Sequence, residues 1–250
     1  MALQEEFEKQ GIWLFKYRGV IPLIFLFIGA VLFVRTEIYP ETFFLKETPY
    51  EIYYEMLCLF VSLIGLGIRV YTVGHTPVNT SGRNTEKQVA DSLNTTGIYS
   101  IVRHPLYLGN FFMWCGPALL TGNFWFFVAF CLFYWIYYER IMFAEEQFLR
   151  RSFGEIYIEW AKNIPPFIPN LKNFKKPGLL FSWKKVLKKE KNGLAAIFMI
   201  FAAFDITGEI IHGETNYNYF LIACCILTGL MYLVLKYLKH KTNILNEQGR

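Results

Sequence analysis

The sequence predicts an all-α, polytopic bundle of about six membrane spans with no Rossmann domain. Three observations predict it. Hydrophobic residues make up 54% of the 250 positions and charged residues only 18%, against roughly 25% charged in soluble proteins. The apolar residues are gathered in long blocks, more than one water-soluble core can hide. The polar segments contain no strand–glycine-rich–helix unit of the kind that binds dinucleotides. The same balance excludes a disordered, fibrous or disulfide-rich secreted chain.

Six blocks are expected to span. The first is about 19–34, extended upstream by Trp13 to Phe15. The second is about 52–74, interrupted by Glu55 and Arg69. The third and fourth, about 105–121 and 124–138, are separated by Gly122 and Asn123, so a tight antiparallel helical hairpin is predicted. The fifth and sixth are about 193–211 and 217–235. Several fall short of the ~20 residues of a full span, and flanking Trp, Tyr, Lys and Arg can reach the interface to cover the deficit. The first ten residues carry Glu5, Glu6 and Glu8 rather than the basic start of a cleaved signal, so the first block is expected to stay as an anchor.

The basic residues predict the orientation. With the amino end cytoplasmic, 23 of the 25 Lys and Arg residues fall inside, and only Arg35 and Lys46 fall outside. The positive-inside rule therefore places both termini and all long polar segments in the cytoplasm. Four units follow: an amino-terminal two-span hairpin (1–74), a central module (75–170), a basic interfacial linker (171–192) and a carboxy-terminal two-span hairpin with its tail (193–250). The stretch 172–191 interleaves lysines with Phe174, Leu180, Phe181 and Trp183. Beside so many spans it reads as a segment lying on anionic lipid, not as a nucleic-acid site. Cys58, Cys115, Cys131, Cys224 and Cys225 all lie in apolar blocks without CxxC spacing, which suggests packing residues and neither a disulfide nor a metal site.

Two constellations carry chemistry. In the first, Gly97-Ile98-Tyr99 leads to Arg103-His104-Pro105-Leu106-Tyr107-Leu108-Gly109. Pro105 suits the first turn of the third span, which puts His104 near the cap. Free N–H groups and the positive end of the helix dipole, joined by Arg103 and His104, would suit a carboxylate or phosphate. In the second, Met142, Glu146, Leu149 and Phe153 share one helical face, with Glu145 beside them. A carboxylate in an apolar stripe needs a partner. The structural alternatives are an interfacial anchor for Arg103, a cap for His104, and surface pairing of Glu145 and Glu146 with Arg140, Arg150 and Arg151.

The ordered motifs are Gly97-x-Tyr99-x-x-x-Arg103-His104-Pro105-x-Tyr107-x-Gly109, then Glu145-Glu146-x-x-Leu149-x-x-x-Phe153-Gly154-x-x-Tyr157, then Pro169. Over roughly 71–169 this pattern resembles the isoprenylcysteine carboxyl methyltransferases and the related phospholipid N-methyltransferases. The resemblance implies a membrane methyltransferase using S-adenosylmethionine, with Tyr99, Arg103, His104, Tyr107, Glu145 and Glu146 at the cofactor. His104 and the helix start are expected near the methionine carboxylate, and the glutamates near the amino group or ribose. The acceptor is expected to be lipidic or lipid-linked, a carboxylate or an amine, reached from the cytoplasmic leaflet, and no catalytic base is evident. About 80 residues follow the module, where the carboxyl methyltransferases end. They carry Asp205 and Glu209 one helical turn apart, which suit a brace or a substrate path. Two other classes compete: an NADPH-dependent membrane reductase of the sterol reductase type, and a non-enzymatic scaffold. The reductases share Arg-His-Pro but usually carry Asn where Leu106 stands and Glu where Asn110 stands.

Overall fold

A computed structural model describes residues 2–78, 80 and 90–249. Among them eight α-helices follow in order: α1 (Leu3–Lys16), α2 (Ile21–Ile38), α3 (Glu51–Gly74), α4 (Pro105–Leu120), α5 (Phe124–Phe153), α6 (Glu155–Lys162), α7 (Trp183–His212) and α8 (Tyr219–Lys241). No strand occurs among the described residues, and a lone antiparallel bridge joins Gly97 to Lys175. The fold is all-α, as the composition requires.

Five helices, α2, α3, α5, α7 and α8, are long and apolar enough to cross a membrane. Their outward faces carry Phe27, Phe60, Leu227 and Leu230, each more than half exposed. So broad an exposed apolar surface suits lipid and not water. The sixth expected span, α4, has only 16 residues, roughly 24 Å at ~1.5 Å per residue. It nevertheless runs antiparallel beside α3 through the same depth. The Tyr54 hydroxyl donates to the Leu119 carbonyl at 2.6 Å near one end, Ser62 to Met113 O at 3.0 Å in the middle, and Arg69 to Asn110 Oδ1 at 2.7 Å near the other.

The α3–α4 contact is backbone against backbone. A Cβ built on Gly65 would lie 2.4 Å from the Gly109 carbonyl oxygen, and one on Gly116 2.4 Å from that of Cys58. Lipid tails are as apolar as leucine, so helices in a bilayer associate largely through such close van der Waals fits. Gly65→Leu is therefore expected to force α3 from α4 and to abolish recovery of monodisperse protein in detergent. An unaltered elution profile and thermal midpoint would show that this contact does not hold the bundle.

The turn from α4 to α5 is as tight as the sequence suggests. Gly122 takes φ +63°, and the Asn123 side chain caps α5 by accepting from Phe126 N at 2.9 Å. Three boundaries differ from expectation. Trp13 to Phe15 do not extend the first span but belong to α1, a separate helix seated on α5, where a Cβ on Gly11 would lie 2.1 Å from the Arg140 carbonyl. The fourth span does not stop near Tyr138: α5 is 30 residues long, runs on to Phe153 and carries Glu145 and Glu146 on the same rod. Helix α7 begins at Trp183, inside the stretch read as a surface linker. Ser182 caps it by accepting from Lys185 N at 3.2 Å, and Lys185 is buried, donating to the carbonyls of Thr76 and Pro77. Among the basic residues used for orientation, Arg83, Lys87 and Arg250 lie outside the described residues.

The two ends of the bundle differ in chemistry. One gathers Arg69, Arg103, His104, Glu145, Glu146 and Glu190; the other gathers Glu37, Lys46, Glu51 and His212. Asp205 and Glu209 lie at this second end. They accept from the backbone N–H groups of Asn218 and Asn216 at 3.0 and 2.8 Å, and so fasten the α7–α8 loop.

Candidate active site

The two sequence constellations, about forty residues apart, meet at the start of α4. Gly97, at φ +60°, opens the single turn Ile98–Ser100, and Pro105 fixes the first turn of α4. His104 occupies the N-cap position, but its side chain makes no capping bond. It is buried and turns to the two glutamates of α5. Its Nε2 lies 3.0 Å from Glu146 Oε1 and its Nδ1 3.4 Å from Glu145 Oε2. Arg103 donates to the other Glu146 oxygen at 2.8 Å.

The helix start is less open than the sequence suggests. The Arg103 and His104 N–H groups donate to the carbonyls of Pro165 and Pro166, at 2.9 and 3.2 Å, and Asn170 N donates to Ile101 O at 2.9 Å. The stiff proline segment thus returns as a strap that takes these donors, leaving the side chains to define the site. Tyr107 and Leu108 donate back to His104 O.

The six residues singled out in the sequence form one cluster. The Tyr107 ring stacks on His104 at 5.7 Å, and its phenol lies beside Glu145. Tyr99 also lies within electrostatic reach of Glu145, and burial, aided by that carboxylate, raises its phenol pKa. Burial alone would lower the His104 pKa, yet hydrogen bonding and attraction from Glu145 and Glu146 outweigh it and raise the imidazole above its ordinary 6.5. Two of the arginines proposed as surface partners are engaged elsewhere. Arg140 pairs with Glu139 and lies over the Phe7 ring at 3.4 Å, and Arg151 pairs with Glu8 at 2.6 Å.

Three buried donors at this site lack a partner among the described residues: Arg103 Nε, the Tyr157 hydroxyl and Trp160 Nε1. The Tyr157 and Trp160 rings are neighbours on α6, 5.7 Å apart. Tyr157 lies beside Glu146 and Arg103, and burial together with Glu146 raises its phenol pKa. Buried donors are rarely left unpaired in a finished structure, so among the described residues the cluster is short of an acceptor.

A second network, missed by the sequence reading, ties this end of the bundle together. Arg69 of α3 makes a two-pronged pair with Glu190 of α7, both bonds at 2.8 Å, and donates to Asn110 of α4. Asn110 approaches the Tyr138 hydroxyl at 3.4 Å; Tyr138 stacks on Tyr134 at 4.1 Å; and Tyr134 donates to the Tyr107 carbonyl at 2.6 Å. The signal was present, since an arginine inside a span calls for a named partner. Glu190, 121 positions away among lysines, gave no hint of being that partner.

The comparisons with known proteins fall on this same region. Residues 56–156 match the model of the phospholipid methyltransferase family. A protein-S-isoprenylcysteine O-methyltransferase of Schizosaccharomyces pombe is 41% identical over 78 residues, 31% of this chain and 33% of that protein. One from Xenopus laevis is 36% identical over 90 residues, 36% of this chain and 31% of that protein. The nickel-cobalt-cadmium resistance protein NccN of Alcaligenes xylosoxydans xylosoxydans is 32% identical over 112 residues, 44% of this chain and 50% of that protein. These matches span between about a third and a half of the relatives' own length. No solved structure matches. The matched core is α3, α4, α5 and the first residues of α6, the elements that carry Arg69, the Arg-His-Pro start and the glutamate pair. On that core the chain is similar to the phospholipid methyltransferase family and to the isoprenylcysteine O-methyltransferases.

Proposed function

We propose that this chain transfers a methyl group from S-adenosylmethionine to a lipidic or lipid-linked carboxylate or amine at the cytoplasmic leaflet. The observation that carries this reading is the meeting of Arg103, His104, Glu145 and Glu146 inside the matched core, beside three buried donors that find no partner among the described residues. The residues suit the cofactor's functional groups. Arg103 Nε, Tyr157 O–H and Trp160 N–H are donors fit for a carboxylate or adenine nitrogens, Glu145 is partly exposed and can accept from an ammonium group, and the Tyr107 and Tyr138 faces suit a sulfonium.

The bound cofactor supplies an electrophilic methyl group. The chain's own residues bind and orient. Glu146 is held by both Arg103 and His104, which fixes one wall of the site. Tyr107 and Tyr138 exclude water on the membrane side, where both are buried. A nucleophile held in line at short range needs little further help. A carboxylate acceptor is already nucleophilic and needs no base. The isoprenylcysteine relatives support a lipid-linked acceptor. Helices α7 and α8 lie outside the matched region, so the acceptor is proposed only as a class.

The direct test is titration of the detergent-purified protein with S-adenosylhomocysteine and, separately, with NADPH. Binding of the first alone supports the methyltransferase reading; binding of NADPH alone replaces it with a reductase. The raised His104 pKa adds a pH dependence. The imidazolium–carboxylate contacts are fully present below the ordinary imidazole value of about 6.5. They are lost as pH rises through the higher folded value. Affinity for S-adenosylhomocysteine is therefore expected to hold below the ordinary imidazole value and to fall as pH rises through the raised one, and His104→Gln is expected to flatten that fall. A profile unchanged by the substitution would detach His104 from the site's charge balance.

The proposed orientation puts the α4–α5 turn on the external face. A cysteine at Asn123 is expected to react with an impermeant maleimide from outside intact cells. Reaction only after permeabilisation would invert the topology, and with it the leaflet.

A further inference from the structure

At the end of the bundle opposite His104, two cavities abut between α2, α3, α7 and α8. One, about 700 Å³, opens to solvent beneath the connecting loops and is lined by charged side chains. The other, about 380 Å³, is an apolar groove lined by Met56, Leu59, Leu63, Phe201, Phe220 and Leu221. They share a wall formed in part by Phe33, Glu55, Phe204 and Asp205. Both sizes fall within the roughly 300–1,000 Å³ range of small-molecule sites.

The charged chamber has one sign in excess. Its two basic groups, Lys46 and His212, are both taken by the buried Glu37, at 2.7 and 3.0 Å, and Lys46 also pairs with Glu51. Among the described residues Asp205 and Glu209 have backbone N–H partners alone, which neutralise no charge. Glu55, at the seam between chamber and groove, makes no hydrogen bond or ion pair among the described residues. Such a carboxylate beside an apolar wall is stabilised by a cation brought to it. The aromatic rings of Phe33, Phe204 and Tyr219 line the same space, and ring faces attract ammonium groups.

We propose that this double cavity is a binding site for a long-chain lipid with an ammonium headgroup, the chain in the groove and the headgroup at Glu55 and Asp205. The stretch of α3 between Glu55 and Arg69 is about 20 Å long at ~1.5 Å per residue. This lipid is therefore not the methyl acceptor, and the site stands apart from the proposed chemistry.

The test is photolabelling of the full-length purified protein with a diazirine-bearing hexadecylamine and with the matching fatty acid. The amine is expected to label peptides containing Met56, Leu59 and Leu221, and the acid far less. Unlabelled hexadecylamine is expected to compete, and spermidine not. Glu55→Gln should reduce labelling about fivefold, the size of one partly screened ion pair. Leu59→Trp, which fills the groove without touching a charge, should reduce it as well. The thermal midpoint of each variant reports folding independently of cofactor binding. Equal labelling by amine and acid, or no loss in correctly folded Glu55→Gln, overturns the proposal. Competition by spermidine as strong as by hexadecylamine replaces the lipid with a soluble polycation.

Discussion

Glu190→Ala is expected to destabilise the folded protein by about 3–5 kcal/mol, the cost of leaving one member of a buried ion pair unpaired. Both groups are largely inaccessible, with the Arg69 and Glu190 side chains 14% and 4% exposed. Among the described residues Asn110 would remain as Arg69's acceptor, able to share a hydrogen bond but not to neutralise charge. Thermal unfolding in detergent, with the same lipid supplement throughout, measures the loss. The double substitution Arg69→Met with Glu190→Leu should recover most of it, because paired apolar residues of similar volume often replace a buried ion pair at little cost. A single variant as stable as the parent would mean that water already screens the pair. A destabilised double variant would mean that the contact sets the position of α7 on α3 through its geometry and not only its charge.

Glu146→Gln carries the next largest effect. The substitution preserves shape but removes the charge that Arg103 and His104 share. Affinity for S-adenosylhomocysteine is expected to fall by ~1–3 kcal/mol, the range for a hydrogen bond to a charged group and its unsatisfied partner. Glu145→Gln should cost less, since its contact with His104 is 3.4 Å against 3.0 Å for Glu146. Calorimetry decides the order. Equal losses for the two glutamates would show that His104 draws on both alike, and no loss for Glu146→Gln would make it a brace for Arg103 and nothing more.

Much of this was legible in the sequence, for identifiable reasons. The helices were legible because long apolar blocks have few other solutions, and the α4–α5 turn because Gly122 and Asn123 admit little else. The cluster of Arg103, His104, Tyr107, Glu145 and Glu146 was legible because the Arg-His-Pro helix start and the glutamate pair occur together in the order that the resemblance implies. What the sequence concealed depends on contacts between distant segments. The strap from Pro165 and Pro166 takes the donors that Arg103 and His104 offer on paper. Lys185 reads as one lysine among many, and only the carbonyls of Thr76 and Pro77 make it a buried one. Helix α1 looked like an extension of the first span because hydropathy marks apolar residues without marking where the chain bends.

The Arg69–Glu190 pair also fixes a timetable for synthesis. Its partners are 121 residues apart, so at ~5–20 residues per second Glu190 emerges roughly 6–24 s after Arg69. During that interval a guanidinium stands in a newly inserted helix without its counter-charge. Asn110 follows Arg69 by 41 residues, which at ~5–20 residues per second is roughly 2–8 s, and its amide oxygen is the first acceptor to arrive. The α3–α4 hairpin is thus able to shelter the arginine while the ribosome completes the helix that neutralises it.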